Sequence, residues 1–450
     1  MAARDEAKFQ STRKKLTRDN AIESVTIHDI RFPTSKEAHG SDAMHKDPDY
    51  SAAYVVLKAT GLPYEGHGIS FTLGRGTEIV VAAAKALVPL VQGWSLLDIY
   101  CDFASFWRHL TCETQLRWIG PEKGAIHLAV AGIVNALWDL WGKIEGMPVW
   151  KLLSSLTPSE ITSLIDFTYI TDVLTPVEAE AILKAKVEER SDRESWLRDN
   201  GYTAYTTSVG WLGYSDDKIR TLAKAALTDG FRNFKVKVGQ DVSDDTRRCA
   251  IIRDQIGWDN KLMMDANQRW EVSEAVEWME KLAEYKPFWI EEPTSPDDVL
   301  GHLEISQRLE KHGIGVATGE HCQNRVVFKQ FLKTGALQFC QIDSARVGGV
   351  NENLAIMLMA AKFGVPVCPH GGGVGLCEMV QHLSFFDFIC VSGTTENRMI
   401  EYVDHLHEHF VSPVVVEGGR YKLPESPGYS SEMKPASIIE YSFPDGPAWQ

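Results

Sequence analysis

The sequence predicts an α/β protein: a barrel of repeated βα units beneath a smaller α+β capping domain. Three observations lead there. From about residue 200, short apolar strands alternate with amphipathic helices; each of those strands ends in a polar residue, at nearly even spacing; and the stretch before them segregates strands from helices. A chain of 450 residues has room for a barrel of about 250 residues plus a second domain.

In chain order, SVTIHDIRF and SAAYVVLKA alternate and are β-branched, which predicts two strands joined by the loop HGSDAMHKDPDY. TEIVVAAAKALVPLV and KGAIHLAVAGIVNALWDLWGKIEG carry apolar residues at helical spacing, and the second stops at Gly146 with Pro148 just beyond. These elements define a capping domain over residues 1–155. FKVKV, KLMMDAN, FWIEEP, GVATGE, FCQIDS and VPVCPH then read as strands, with helices such as SEAVEWMEKLAEY between them, in a barrel domain over 156–404. The Pro- and Gly-rich remainder, 405–450, is expected to pack back on the cap. At the other end, Asp5, Glu6 and Asp19 interrupt the basic cluster Arg13, Lys14, Lys15 and Arg18. That pattern reads as a frayed leader in a cytoplasmic protein, with a mitochondrial address as the alternative.

Bulk properties exclude several functions. A formal charge of -15, from 46 basic and 61 acidic residues, argues against nucleic acid, which needs Lys and Arg at its phosphates. No run of 18 apolar residues speaks for a membrane, and the eight cysteines show no C-x-x-C spacing, so they read as reduced thiols. An acidic protein can still take a small anionic substrate if a bound cation reverses the local sign.

The chemistry sits at the strand ends. From Lys237 to Asp265, Glu291, Glu320, Asp343 and His370 the steps are 28, 26, 29, 23 and 27 residues, near the roughly 31 per βα unit of a 250-residue barrel. Closure would point these ends at one centre, whereas an open doubly wound sheet, which six strands alone also permit, would spread them along a line. Asp265, Glu291 and Glu320 are hard oxygen donors that suit Mg²⁺. For a single carboxylate a strand-end ion pair is an equal explanation; three in register make a metal site the better one. Lys235 and Lys237 share one strand face, and a second ammonium nearby should depress Lys237 toward a usable base. His370, one unit after Asp343, can be oriented and charged by that carboxylate for acid/base duty. Three other matches carry little: HGGGVG at 370–375 lacks a G-x-S-x-G partner, Gly313, Gly315 and Gly319 miss the dinucleotide spacing, and His405, His407 and His409 read as surface or capping residues.

ALWDLWGKIEGMPVWKLL, FKVKV, MMDANQRW, WIEEPTSPDD, ATGE, QIDSARVGG and CPHGGG together resemble the mandelate racemase-like branch of the enolase superfamily. That resemblance implies a modified TIM barrel, (β/α)₇β, under an α+β cap, with Mg²⁺ stabilising an enediolate raised by a Lys or His base. More narrowly, RFPTS, HGSDAMHKDPDYSAAY, LRWIGPEKG, AYTTSVGWLGYSDD and IEYVDHLHEHF are similar to the L-fuconate dehydratases, which in turn resemble fungal L-galactonate dehydratase. By that similarity Lys237 is the base, His370 with Asp343 the acid, and Gly40, Ser41, Asp42, Tyr50, Lys235 and Glu401 contact an acid sugar in a homo-oligomeric enzyme. Racemisation or epimerisation is the rival within the superfamily; a Schiff-base aldolase and a non-catalytic binding protein are rivals outside it.

Overall fold

The computed structural model describes residues 8–450; Asp5 and Glu6 of the leader lie outside them. In the cap, strands β1 (Ile22–Arg31), β2 (Ser51–Ala59) and β3 (Glu65–Thr72) form an antiparallel sheet in that order. β3 has no β-branched alternation to announce it, because Gly66 and Gly68 occupy two of its positions. Both are needed for packing. A Cβ on Gly66 would come within 2.3 Å of the Ala136 carbonyl and one on Gly68 within 2.0 Å of the Gly132 carbonyl, so the helix Gly124–Glu145 lies backbone to backbone on the sheet. By length and composition that helix could cross a membrane, but 83% of its most apolar window is buried in the fold, as suits the central helix of a core.

The leader is not frayed from Phe9 onward. Gln10–Lys15 is helical, Phe9 and Leu16 are buried, the Phe9 ring stands edge-on to Trp141 at 5.7 Å, and Thr12 and Lys15 bind the Glu145 carboxylate at 2.7 and 2.8 Å. Two buried apolar anchors, one at each end of the helix, outweigh the surrounding charge.

The barrel runs through β4 (Tyr202–Thr206), β5 (Asn233–Lys237), β6 (Lys261–Asp265), β7 (Pro287–Glu291), β8 (Gly315–Thr318), β9 (Phe339–Cys340) and β10 (Ile400–Tyr402), with parallel neighbours throughout. The predicted strand VPVCPH lies between β9 and β10: Cys368 donates to the Cys340 carbonyl at 2.8 Å, and Glu401 donates to the Pro369 carbonyl at 3.3 Å. Because β10 also pairs with β4, the ring of eight closes and the open-sheet alternative falls away. Inside, Tyr205, Met263, Trp289, Ala317, Phe339, Cys368 and Met399 form an apolar plug. The strand ends above it can then carry polar groups without opening a water channel. Residues after 405 straddle both parts: β11 (Val416–Glu417) and β12 (Arg420–Tyr421) form a hairpin whose second strand pairs with β4, while Met433 N–H binds the Tyr54 hydroxyl and Trp449 Nε1 the Arg31 carbonyl on the cap.

Candidate active site

A cavity of about 300 Å³ lies where the carboxyl ends of the barrel strands meet the cap. Gly40, Asp42 and Tyr50 reach it from the cap; Lys237, Glu320, Asp343, His370 and Glu401 reach it from the barrel. Four predicted residues are not on its wall. Ser41 instead clamps the cap loop to the barrel, its hydroxyl donating to the Leu212 carbonyl at 2.8 Å while Leu212 N–H returns a bond to Ser41 at 3.2 Å. Lys235, Asp265 and Glu291 lie beneath the floor, fully buried.

Strand periodicity explains that layering, since Lys235 and Lys237 point the same way from β5 but at successive heights. Lys235 Nζ lies 2.6 Å from Glu291, 2.8 Å from Glu401 and 3.3 Å from Asp265; Lys237 Nζ lies 2.6 Å from Asp265 and 2.9 Å from the Asn267 side-chain oxygen. The expected depression of Lys237 does not occur. Burial and the Lys235 ammonium both work to lower it, but Asp265, Asp42 and Glu320 hold it above its ordinary value, so it rests protonated. Lys235 is likewise held well above its ordinary value, against burial, by Glu291 and Glu401.

Asp265, Glu291 and Glu320 bring ligand oxygens within 4.8 Å of one another, and all three are buried. Two features show that they fit a divalent cation. Burial, with Asp265 and Glu401 nearby, pushes Glu291 upward despite Lys235, because the carboxylates here outnumber the ammonium groups. Glu320 Oε2 is also buried and makes no hydrogen bond, with only the His370 ring nitrogen at 3.3 Å beside it, so it has acceptor capacity to offer a cation. The all-oxygen set suits Mg²⁺.

Opposite the lysines, His370 Nδ1 donates to Asp343 at 2.7 Å and Nε2 lies 3.3 Å from Glu320 Oε2. Burial opposes the charged imidazole, yet Glu320 and Asp343 raise it to about 10, so His370 stands protonated at neutral pH. Glu401 accepts from Gly371 N–H at 3.0 Å and from the Thr207 hydroxyl; against burial, Lys235, His370 and Lys237 hold it down at about 2. Asp42 accepts from His45 Nδ1 at 3.0 Å, and its pKa is lowered by that bond and by Lys237 in spite of burial.

The sequence model described as enolase C-terminal domain-like matches residues 218–437. L-galactonate dehydratase of Hypocrea jecorina is 52% identical over 433 residues, 95% of this chain and 96% of that protein. The crystal structure of human mitochondrial enolase superfamily member 1 superposes with a TM-score of 0.95 at 59% identity, covering 96% of this chain and 98% of that one. The chain belongs to the enolase superfamily. The same fold recurs at 23% identity and a TM-score of 0.72 in L-talarate/galactarate dehydratase of Salmonella typhimurium, solved with Mg and L-lyxarohydroxamate, over 97% of this chain and 96% of that one.

Several wall residues of this superfamily member escaped sequence reasoning. His45, Arg75, Trp211, His321 and Arg346 all line the cavity, beside Asn267, which the sequence marks as a polar strand end next to Asp265. Asn267 and Arg346 fall inside the recognised motifs MMDANQRW and QIDSARVGG, and only their side-chain directions were illegible. His405, read as a surface or capping residue, packs its ring 5.4 Å from both Tyr50 of the cap and Trp211; His407 binds buried Glu378 at 2.6 Å. In HGGGVG, Gly371 N–H faces Glu401, so the segment is no oxyanion hole.

Proposed function

We propose that the protein is a Mg²⁺-dependent hydro-lyase that dehydrates a six-carbon sugar acid, converting L-fuconate to 2-keto-3-deoxy-L-fuconate, a step of L-fucose catabolism within carbohydrate metabolism. One observation carries this reading: Lys237 and His370 line one cavity from opposite ends of a carboxylate trio, Lys237 at 2.6 Å from Asp265 and His370 at 3.3 Å from Glu320. A base and a charged acid on either side of one reacting centre are what removal of an α-proton and loss of a β-hydroxyl require.

Lys237, once it has released its resting proton to solvent and stands as the neutral amine, takes the proton alpha to the substrate carboxylate. The electron pair left behind forms an enediolate and then expels the β-hydroxyl. His370, charged and oriented by Asp343, gives that hydroxyl its Nε2 proton, so water departs and the remaining enol becomes the 2-keto-3-deoxy acid. Asp265, Glu291 and Glu320 would hold Mg²⁺, whose positive charge would offset the charge building on the carboxylate and weaken the trio's hold on the Lys237 proton. Lys235 and Glu401 fix the floor, and Gly40, Asp42 and Tyr50 hold the sugar chain from the cap, with Ser41 fastening their loop.

L-galactonate, which differs from L-fuconate by a terminal hydroxyl, is the second reading, favoured by the relative that is 52% identical. We also propose the division 1–155, 156–404 and 405–450, homo-oligomeric assembly, and a cytoplasmic location, for which the human relative's name supports the mitochondrial alternative.

The test is turnover of L-fuconate and L-galactonate with Mg²⁺ or EDTA, with mass spectrometry of the product. Loss of one water in Mg²⁺ alone is expected. Lys237→Ala should lower turnover by roughly 10²–10⁴-fold, whereas His370→Asn should keep exchange of the α-hydrogen with solvent deuterium and lose dehydration. Exchange without water loss in the wild type would move the reading to an epimerase, and undiminished turnover by Lys237→Ala would remove the base.

A further inference from the structure

Glu320 is the one member of the carboxylate trio that also lines the cavity, and its two oxygens have unequal surroundings. Oε1 lies 3.3 Å from His321 Nδ1; Oε2 has no hydrogen-bond partner and faces His370 Nε2. The same His321 Nδ1 lies 2.9 Å from Glu292 Oε1, and Glu292 Oε2 accepts from Gln268 Nε2 at 2.9 Å. Nδ1 faces only carboxylate oxygens, which accept, so it is the donor.

This chain has been built at a cost to the backbone. Glu292 and Gln268 have φ of 44° and 67°, left-handed conformations that side-chain-bearing residues seldom adopt. Two main-chain bonds hold them there: Gln268 N–H to the Glu292 carbonyl at 2.7 Å and Glu292 N–H to the Ala317 carbonyl at 2.9 Å. Glu292 is itself completely buried, and burial with Glu320 nearby pushes its carboxyl upward against the pull of His321. A strained, buried carboxylate with both oxygens committed is a poor stabiliser of the fold but an effective anchor for a ring.

We propose that His321, locked by Glu292 and Gln268, is the positioning residue that turns Glu320 so that Oε2 is the oxygen offered to the metal. Glu292, Glu320 and His321 also approach within 4.8 Å of one another and could be taken for a metal site of their own. A donating Nδ1 supplies a proton where a ligand must supply a lone pair, so they serve as support for the other trio.

The inference rests on reading Asp265, Glu291 and Glu320 as the Mg²⁺ ligands, and calorimetric titration of the purified apoprotein with Mg²⁺ tests both without any substrate. Wild type should bind one Mg²⁺. His321→Ala should weaken binding by roughly tenfold to a hundredfold; His321→Asn, which keeps a donor near the Nδ1 position, should recover most of that loss; Gln268→Ala, which frees Glu292 while leaving His321 in place, should weaken binding by a smaller factor. If His321→Ala does not fold, the Asn and Gln268→Ala variants carry the test. Equal affinities for wild type and every folded variant would overturn the positioning role, as would a His321→Asn variant no better than His321→Ala. No Mg²⁺ binding by the wild type would overturn the metal reading itself.

Discussion

Lys235 on β5 and Glu401 on β10 meet across the end of β4, Nζ to Oε1 at 2.8 Å, both shielded from solvent. The contact ties the strand that closes the barrel to the one that carries Lys237, the proposed base, and the same ammonium reaches Glu291 at 2.6 Å. Lys235 is therefore the counter-charge on which three buried carboxylates depend.

Lys235→Met should accordingly be costly. It retains the volume but leaves Glu291 without its cation and Glu401 with only His370 and Lys237, and breaking a buried pair from one side destabilises by about 3–5 kcal/mol. Urea unfolding of the metal-free variant should show the unfolding free energy fall by that amount, and the midpoint with it, with part of the loss restored by Mg²⁺. An unchanged midpoint would mean that Lys235 is not the group that compensates those carboxylates.

Much of this site was legible because a barrel writes it at regular intervals: Lys237, Asp265, Glu291, Glu320, Asp343 and His370 each follow a short apolar run, and closure brings them together. β4 and β10 were not visible because YTAYT and IEY are too short to establish a period. β3 was hidden by the glycines that let a helix lie on it. The charge state of Lys237 was misread for a related reason: the local sequence shows one neighbouring ammonium, whereas the fold adds Asp42, Asp265 and Glu320 from distant segments. His45, His321 and Arg346 sit on loops, where only tertiary contacts decide which way a side chain faces.

Gly319 offers a test of how tightly Glu320 is held. Its φ is 149°, and a Cβ there would lie 2.1 Å from the Gln341 carbonyl oxygen, an atom of backbone that cannot rotate away. Gly319→Ala must therefore displace the peptide that precedes Glu320, a proposed metal ligand. Stability should drop by more than about 1 kcal/mol in chemical unfolding, and Mg²⁺ affinity should drop with it. A variant destabilised but unchanged in affinity would separate the placement of Glu320 from the conformation of residue 319.

Two groups of the site contribute to the pH dependence of the metal-free protein with opposite signs. His370 is raised to about 10, with burial opposing and Glu320 and Asp343 prevailing, above the roughly 6.5 of an unfolded histidine. Its contribution is fully present below about 6.5 and is lost as pH rises through about 10. Glu401 is depressed to about 2 from 4.5, with Lys235, His370 and Lys237 prevailing over burial, so its contribution is present above 4.5 and lost as pH falls through about 2. Unfolding midpoints measured in EDTA should decline on both sides of this range. His370→Asn should flatten the alkaline side, and Asp343→Asn, by removing one of the contacts that raise the imidazole, should move that decline to lower pH. If wild type and His370→Asn fall along the same alkaline curve, the proton carried by His370 is not what the folded site retains, and its assignment as the acid loses its physical basis.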